Sequence, residues 1–329
     1  MIQAILVSNG HTQDNIFTES GRDSCNLPFI KLKDALKKCA IEIHTPDMCS
    51  GEPEIEIHLN VQNPVSTGYK YLILWEHEDI YPKNKIVPNY YRAIFSWKNL
   101  RRKNSFLLPC CNLDRPSGTK TFSEREIYFS MLASNNFLNT RNINELYIER
   151  ARIINWFAKN HPMKFKLYGP NWNFKVRNLS IYGRLLRHFD RIFHVEDQLV
   201  KKIYCGYISS KFSILEDSKY SFCYENSRVD NYVTEKLIEA IIGGTVPIYI
   251  GPSNIGDFIP DECYINADKF NSLKSLYEFV MEITPNQYSQ IQDSGQQWLK
   301  TNARNLFGIE QFVQVVVEQL VKDKNNGFI

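Results

Sequence analysis

The sequence predicts a layered α/β fold built from two domains. Strand-like and helical segments alternate along the chain, and 329 residues suffice for two α/β domains of ordinary size. A stretch rich in Asp, Pro, Ser, Gly, Thr and Lys, residues 112–125, lies between two such runs and reads as an inter-domain linker. At 43% hydrophobic and 23% charged residues the composition is that of a soluble globular chain.

In the first half, Ile2–Val7 reads as a buried opening strand and residues 29–38 as a helix. Ile41–His44, Ile55–Leu59 and residues 71–75, 91–97 and 106–108 follow as short apolar strands. The second half starts with the strand Ile127–Leu132 and a helix over 144–159. The strand Phe165–Tyr168 comes next, then a helix over 195–205 and a strand over 220–224. A helix over 234–242 leads to the strand Val246–Ile250, and helices over 272–283 and 311–321 close the chain. No internal repeat is visible, and 322–329 reads as a frayed tail. The expected domains are 1–120, 121–310, and a C-terminal helix and tail, 311–329.

Charge and composition exclude several classes. A net charge of +3 does not mark a general polyanion or nucleic-acid binder. Two basic clusters, Lys98/Arg101/Arg102/Lys103 and Arg184/Arg187/Arg191, read more simply as solvated surface. The opening apolar run is too short for a signal peptide or a membrane span. Eight cysteines show no CxxC pair and no zinc-ligand spacing, and the histidines have no metal-binding spacing. A reducing, cytosolic compartment is expected. His77 reads as a partly exposed loop histidine; the 43 aromatics read as mostly core, with Trp97 and Trp172 open to either a core or a sugar-stacking role.

Residues 220–251, YSFCYENSRVDNYVTEKLIEAIIGGTVPIYIG, are the most informative. They read as strand, polar loop, helix, glycine turn and buried strand. Open α/β sheets bind ligands at the carboxyl ends of strands, where this loop opens. Leu237, Ala240, Ile241 and Gly244 form the packed stripe of the helix. Thr234 is its N-cap candidate, leaving backbone N–H groups directed at the loop. Lys236 in the first turn works against the helix dipole, and a phosphate would offset both charges. Glu235 suits the vicinal hydroxyls of a ribose or sugar. On spacing alone, an ordinary capped helix with a surface Lys–Glu pair is the slightly better explanation.

This stretch resembles the signature of the α-1,3/4-fucosyltransferase family. The signature appears as Tyr224-Glu225-Asn226-Ser227, Tyr232-Val233-Thr234-Glu235-Lys236, Gly244-Thr245-Val246-Pro247 and Gly251, with Tyr224 replacing the family's Phe. Ser134-Asn135, the Arg150 region, residues 167–172 (LYGPNW) and residues 264–270 (YINADKF) resemble further landmarks in order. The resemblance is strong over about 130–290 and weak over the first half.

The resemblance implies a GT-B type fold, two Rossmann-like domains facing across a cleft. The C-terminal domain would bind GDP-fucose and the N-terminal domain the acceptor. Lys236 and Arg150 would meet the diphosphate, with Arg152 a competitor for Arg150. Glu235 would meet the ribose, and Asn226 and Tyr232 would line the donor site, with Thr234 beside them. The implied chemistry is inversion at the anomeric carbon, needing one carboxylate base and positive charge near the leaving group. Glu76, ending the apolar strand 71–75 shortly before Pro82, is the first candidate base, and Glu78 the second. No metal and no cofactor is expected, GDP-fucose being the donor substrate. The acceptor implied is an N-acetyllactosamine-like oligosaccharide or lipid-linked glycan of a surface polysaccharide or lipopolysaccharide. The expected setting is bacterial-type, cytoplasmic, with peripheral association at the inner membrane. Rival readings are a GT-B transferase with another nucleotide sugar, or a non-catalytic sugar- or nucleotide-binding α/β protein. An oxidoreductase would show GxGxxG after its first strand, and Ser8-Asn9-Gly10-His11-Thr12 does not.

Overall fold

Parallel strands buried on both faces need apolar residues at nearly every position, and the runs read from the sequence have that character. In a computed structural model, which describes residues 1–20, 22–109, 118, 120–135, 144–172 and 197–328, those runs assemble into two parallel sheets. Each sheet belongs to its own compact unit.

The first unit comprises Met1–Asp114, Asn231–Val233 and Asn302–Ile329. Its strands are β1 (Ile2–Val7), β2 (Ile41–His44), β3 (Ile55–Leu59), β4 (Tyr69–Leu74), β5 (Ala93–Ser96) and β6 (Ser105–Leu107). They lie in the order β2-β1-β3-β4-β5-β6, all parallel. Helix α1 (Leu27–Lys38) carries Pro28 in its first turn, where the missing N–H costs nothing, and buries Phe29, Leu32 and Leu36.

The second unit comprises Arg115–Asp230 and Thr234–Thr301. Its strands are β7 (Ile127–Leu132), β8 (Phe165–Tyr168), β9 (Ser218–Tyr224), β10 (Val246–Ile250) and β11 (Ile265–Asn266). The order is β11-β10-β9-β7-β8, again parallel. Beside them stand α2 (Tyr147–Asn160), α3 (Lys211–Asp217), α4 (Glu235–Ile242), α5 (Leu273–Glu282) and α6 (Pro285–Trp298). The core joins Phe129, Phe157, Phe165 and Phe222, with Phe157 stacked on Phe165 at 4.5 Å. Strand order reverses beside β7, so the switch point lies at the carboxyl ends of β7 and β9.

Several expectations change in the structure. The units divide at 114/115 rather than near 120. Residues 302–329 join the first unit instead of ending the second domain and forming a separate tail. Helix α7 (Ile309–Asn325) packs Phe312 against Phe29 and Trp75 of the first unit. Half of 112–125 lies outside the described residues, but Arg125 is fully buried rather than linker-like. Its guanidinium donates to the carbonyls of Lys120, Leu215, Glu216, Ser218 and Gly243. Gly244 is required beside it: φ is +67°, and a Cβ would lie 2.7 Å from Arg125 Nη2.

The described part of the expected 195–205 helix holds only a short 3-10 turn, Val200–Lys202. Asp197 accepts from the amides of Leu199 and Val200, and Ile203 and Cys205 then bond to Leu167 on β8. Helix α6 was not anticipated because its apolar residues are sparse: it buries Tyr288, Gly295 and Trp298. Its signal is the Thr284-Pro285-Asn286-Gln287 start, where Thr284 and Gln287 cap each other reciprocally. Short helix α3 was likewise unread.

Candidate functional site

At the end of β9 the chain enters the polar loop through Glu225, whose side chain is fully buried. Its carboxylate accepts from Thr234 N at 2.9 Å, Thr234 Oγ1 at 2.6 Å and Tyr249 OH at 3.3 Å. Lys236 Nζ stands 3.4 Å away. One buried anion thus gathers a backbone amide, two hydroxyls and an ammonium, which offsets its desolvation. Gly251 lies close by, and a Cβ there would fall 2.1 Å from the Tyr249 hydroxyl.

Thr234 takes the N-cap position of α4 in extended conformation, but its side chain does not cap the helix. The hydroxyl donates to Glu225 and accepts from Lys236 Nζ at 2.7 Å. This differs from the expected capping role: the hydroxyl turns toward Glu225 as donor, and its oxygen accepts from Lys236 Nζ instead of a first-turn amide. The Thr234 side chain therefore leaves the first-turn amides of α4 uncapped. Lys236 also approaches Glu235 Oε1 at 3.6 Å. Desolvation works against the charge of Glu235, but the neighbouring Lys236 and Lys211 outweigh it and bring its pKa to about 2. One turn on, burial pushes Glu239 up to about 7 despite its pairing with Lys211. Glu235 is therefore fully ionised at neutral pH, whereas Glu239 is near its midpoint.

Arg150, in the first turn of α2, is 4% exposed. Its Nη2 donates to Tyr224 O at 2.6 Å and Asn226 Oδ1 at 2.8 Å, and its guanidinium lies over the Tyr147 ring at 4.6 Å. Arg152, the sequence competitor, is 66% exposed and pairs with Glu149. Residues 144–146 run antiparallel to 226–228: Leu146 N donates to Asn226 O, and Arg228 N to Asn144 O at 2.6 Å. Arg228 grips both oxygens of Asp268. Arg150 and Asn226 thus meet beside the switch point, while Thr234, Glu235 and Lys236 gather with Glu225 at the end of the same strand.

In the first unit, β4 ends directly into Trp75 and Glu76. Tyr232, from the Asn231–Val233 segment of that unit, lies with its hydroxyl 3.4 Å from Glu76 Oε2. Glu78 instead pairs with Lys98 at 3.3 Å. His77 is 3% exposed, contrary to the partly exposed position expected. It is enclosed by the rings of Trp97 at 5.8 Å and Tyr232 at 5.5 Å, so burial lowers its pKa against the pull of Asp79 and Glu78. Trp97 is core, packed on Tyr232 at 4.8 Å. Trp172 is core too, donating to Ala133 O. That bond and Asn135 Nδ2 to Asn171 O tie the Ser134-Asn135 landmark to residues 169–172. Of the basic residues, Arg102 donates to the Val87 and Pro88 carbonyls. Arg184, Arg187 and Arg191 lie outside the described residues.

Residues 169–302 match the model of the glycosyltransferase family 10 (fucosyltransferase) C-terminal domain. The likeness to glycosyltransferase family 10 rests on that segment, less than half of the chain. An α-(1,4)-fucosyltransferase of Arabidopsis thaliana is 43% identical over 65 residues, 20% of this chain and 16% of the plant protein. The 4-galactosyl-N-acetylglucosaminide 3-α-L-fucosyltransferase 9 of Mus musculus is 28% identical over 182 residues, 53% of this chain and 48% of that protein. The chain thus spans about half or less of these relatives. A solved α1,3-fucosyltransferase with GDP aligns over 96% of this chain and 90% of its own, with TM-score 0.56 and 14% identity. The same enzyme class with GDP-fucose aligns with TM-score 0.54 and 15% identity. The fold is of the GT-B type.

Within this segment, the sequence motif alone indicates no role for Glu225. An acidic residue directly ending a buried strand, nine residues before a Thr-Glu-Lys helix start, was the available signal. Among the described residues no helix is long and apolar enough to cross a membrane. Among them also, no group of three or more His, Cys, Asp or Glu is placed to hold a metal ion.

Proposed function

We propose that this chain transfers fucose from GDP-fucose to a hydroxyl of an N-acetyllactosamine-like glycan, with inversion and without a metal. The observation that carries the reading is the cationic and hydrogen-bonding set at the end of β9. Arg150 and Asn226 are bonded together there, and Lys236 is oriented by Glu225 and Thr234 at the start of α4. Lys236 and Arg150 take the diphosphate, and the ionised Glu235 accepts from the ribose hydroxyls. Glu76 removes the proton from the acceptor hydroxyl, whose oxygen bonds to the anomeric carbon. The bond from that carbon to the diphosphate oxygen breaks, and GDP leaves with the electron pair. Glu76 is preferred to Glu78 because Glu76 follows closely on the end of β4, while Glu78 is paired with Lys98. A bacterial surface polysaccharide or lipid-linked glycan, met at the cytoplasmic side of a membrane, is the acceptor setting this reading carries.

The test is GDP release from GDP-fucose, with and without N-acetyllactosamine, together with GDP titration calorimetry. Release should depend on the acceptor. Lys236→Ala should weaken GDP binding about 10- to 100-fold, the worth of one charge-assisted contact of about 1.5–3 kcal/mol. GDP binding that is absent from the wild type, or unchanged in the variant, refutes the site.

A further inference from the structure

Strand β3 ends at Leu59, and its next residue, Asn60, turns into the left-handed region with φ +62°. Asparagine enters that region more readily than most residues. Its backbone N–H still bonds to Ile73 O at 2.8 Å, so the turn begins only after the ladder with β4 is complete. The side chain then takes over where the ladder stops. Asn60 Oδ1 accepts from Trp75 N at 3.0 Å and from Glu76 N at 2.8 Å, the two amides that follow β4. The same oxygen accepts from Asn84 Nδ2 at 2.9 Å. Asn84 Nδ2 also donates to the Glu76 carbonyl at 2.7 Å, and Asn84 Oδ1 accepts from Val61 N. Both asparagines are buried. The Glu76 peptide is therefore gripped on its N–H and its C=O, 16 and 8 residues away in sequence, by two amides bonded to each other.

Strand ends of parallel sheets ordinarily leave such amides to water and the chain free to fray. Here a carboxylate beyond the last ladder pair has a fixed backbone. We propose that Asn60, supported by Asn84, is a positioning residue that holds Glu76 in register for proton removal. This rests on the reading of Glu76 as the base.

The experiment compares Asn60→Gly, Asn60→Asp, Glu76→Gln and the double variant Asn60→Gly/Glu76→Gln, by acceptor-dependent GDP release and by GDP binding. Glycine accepts the left-handed φ, so it removes the side chain without straining the turn. Asn60→Gly should lower kcat by about 10- to 100-fold, the cost of displacing a reacting group by about 1 Å. KM for GDP-fucose and GDP affinity should stay unchanged. Asn60→Asp keeps the accepting oxygen and should recover most of the turnover. In the Glu76→Gln background, Asn60→Gly should cost nothing further. If Glu76→Gln abolishes turnover while folded Asn60→Gly keeps its kcat within twofold, the positioning role is overturned and the base assignment stands. A Glu76→Gln variant that keeps its rate overturns both. Should Asn60→Gly fold poorly, as judged by lost GDP binding, Asn84→Ala carries the same comparison through the other half of the grip. An equal fall of kcat in the Glu76→Gln background also overturns the proposal.

Discussion

Glu56 is fully buried on β3, an unusual place for a carboxylate, and its partners explain it. Burial works against its charge, but bonds from His58, Ser66 and the Val65 amide outweigh it and lower its pKa from 4.5 to about 2. His58 in turn meets the Tyr91 hydroxyl at 2.7 Å. A depressed folded-state pKa stabilises the fold above the unfolded value. Its contribution is therefore complete above pH 4.5 and is lost as the pH falls through about 2. The shift corresponds to about 3 kcal/mol. Acid unfolding followed by circular dichroism should be shallower between those pH values in Glu56→Gln than in the wild type. Parallel curves would show that the carboxylate titrates alike in both states. The same residue-scale logic separates Arg150 from Arg152: two arginines two positions apart on one helix differ in burial because only one lies on the core-facing side.

At the scale of elements, α7 shows how a terminal helix becomes part of a distant sheet. Its stripe of Phe312, Val316 and Leu320 is buried, and Asp323 closes the contact. Asp323 accepts from Tyr71 OH on β4 at 2.8 Å and pairs with Arg92 Nε at 2.9 Å. Arg92 also lies 3.7 Å under the Phe328 ring, and Lys324 donates to Cys39 O at the end of α1. Removing Asp323 leaves a tyrosine hydroxyl and a guanidinium without their acceptor. Asp323→Ala should cost about 3 kcal/mol in urea unfolding, against about 1 kcal/mol for Tyr71→Phe. Equal losses for the two variants would assign the stability to the apolar stripe instead.

For the whole molecule, the division into two units makes a prediction about where nucleotide is felt. The residues proposed to bind the diphosphate lie on α2, on α4 and in the loop after β9, all in the second unit. A ligand at 100 times its Kd adds about 2.7 kcal/mol to the states that bind it. Amide exchange at 147–150, 225–230 and 234–236 should therefore slow by up to about 100-fold in saturating GDP. The strands β1 to β6 should change little. Protection confined to the first unit would move the nucleotide site there.

What the sequence by itself determined is the local grammar. The strands Ile2–Val7, Ile41–His44, Ile55–Leu59, Ile127–Leu132, Phe165–Tyr168 and Val246–Ile250 were readable to the residue, because a buried parallel strand writes its burial into a short apolar run. The β9–α4–β10 unit was readable for the same reason, whereas the roles of Asn226, Glu235 and Lys236 are implied by the family resemblance alone. Only the tertiary structure decided which polar groups those elements bring together. Glu225 acquires its meaning from Thr234, Lys236 and Tyr249, and Asn60 from residues 15, 16 and 24 positions away. His77 is buried only because Trp97 and Tyr232 close over it. Helix α6 hides from periodicity because few of its residues face the core, with Gly295 there to admit Ile241 closely. Hydrophobic periodicity is a property of neighbours along the chain, whereas the pairing of buried polar atoms depends on neighbours in space.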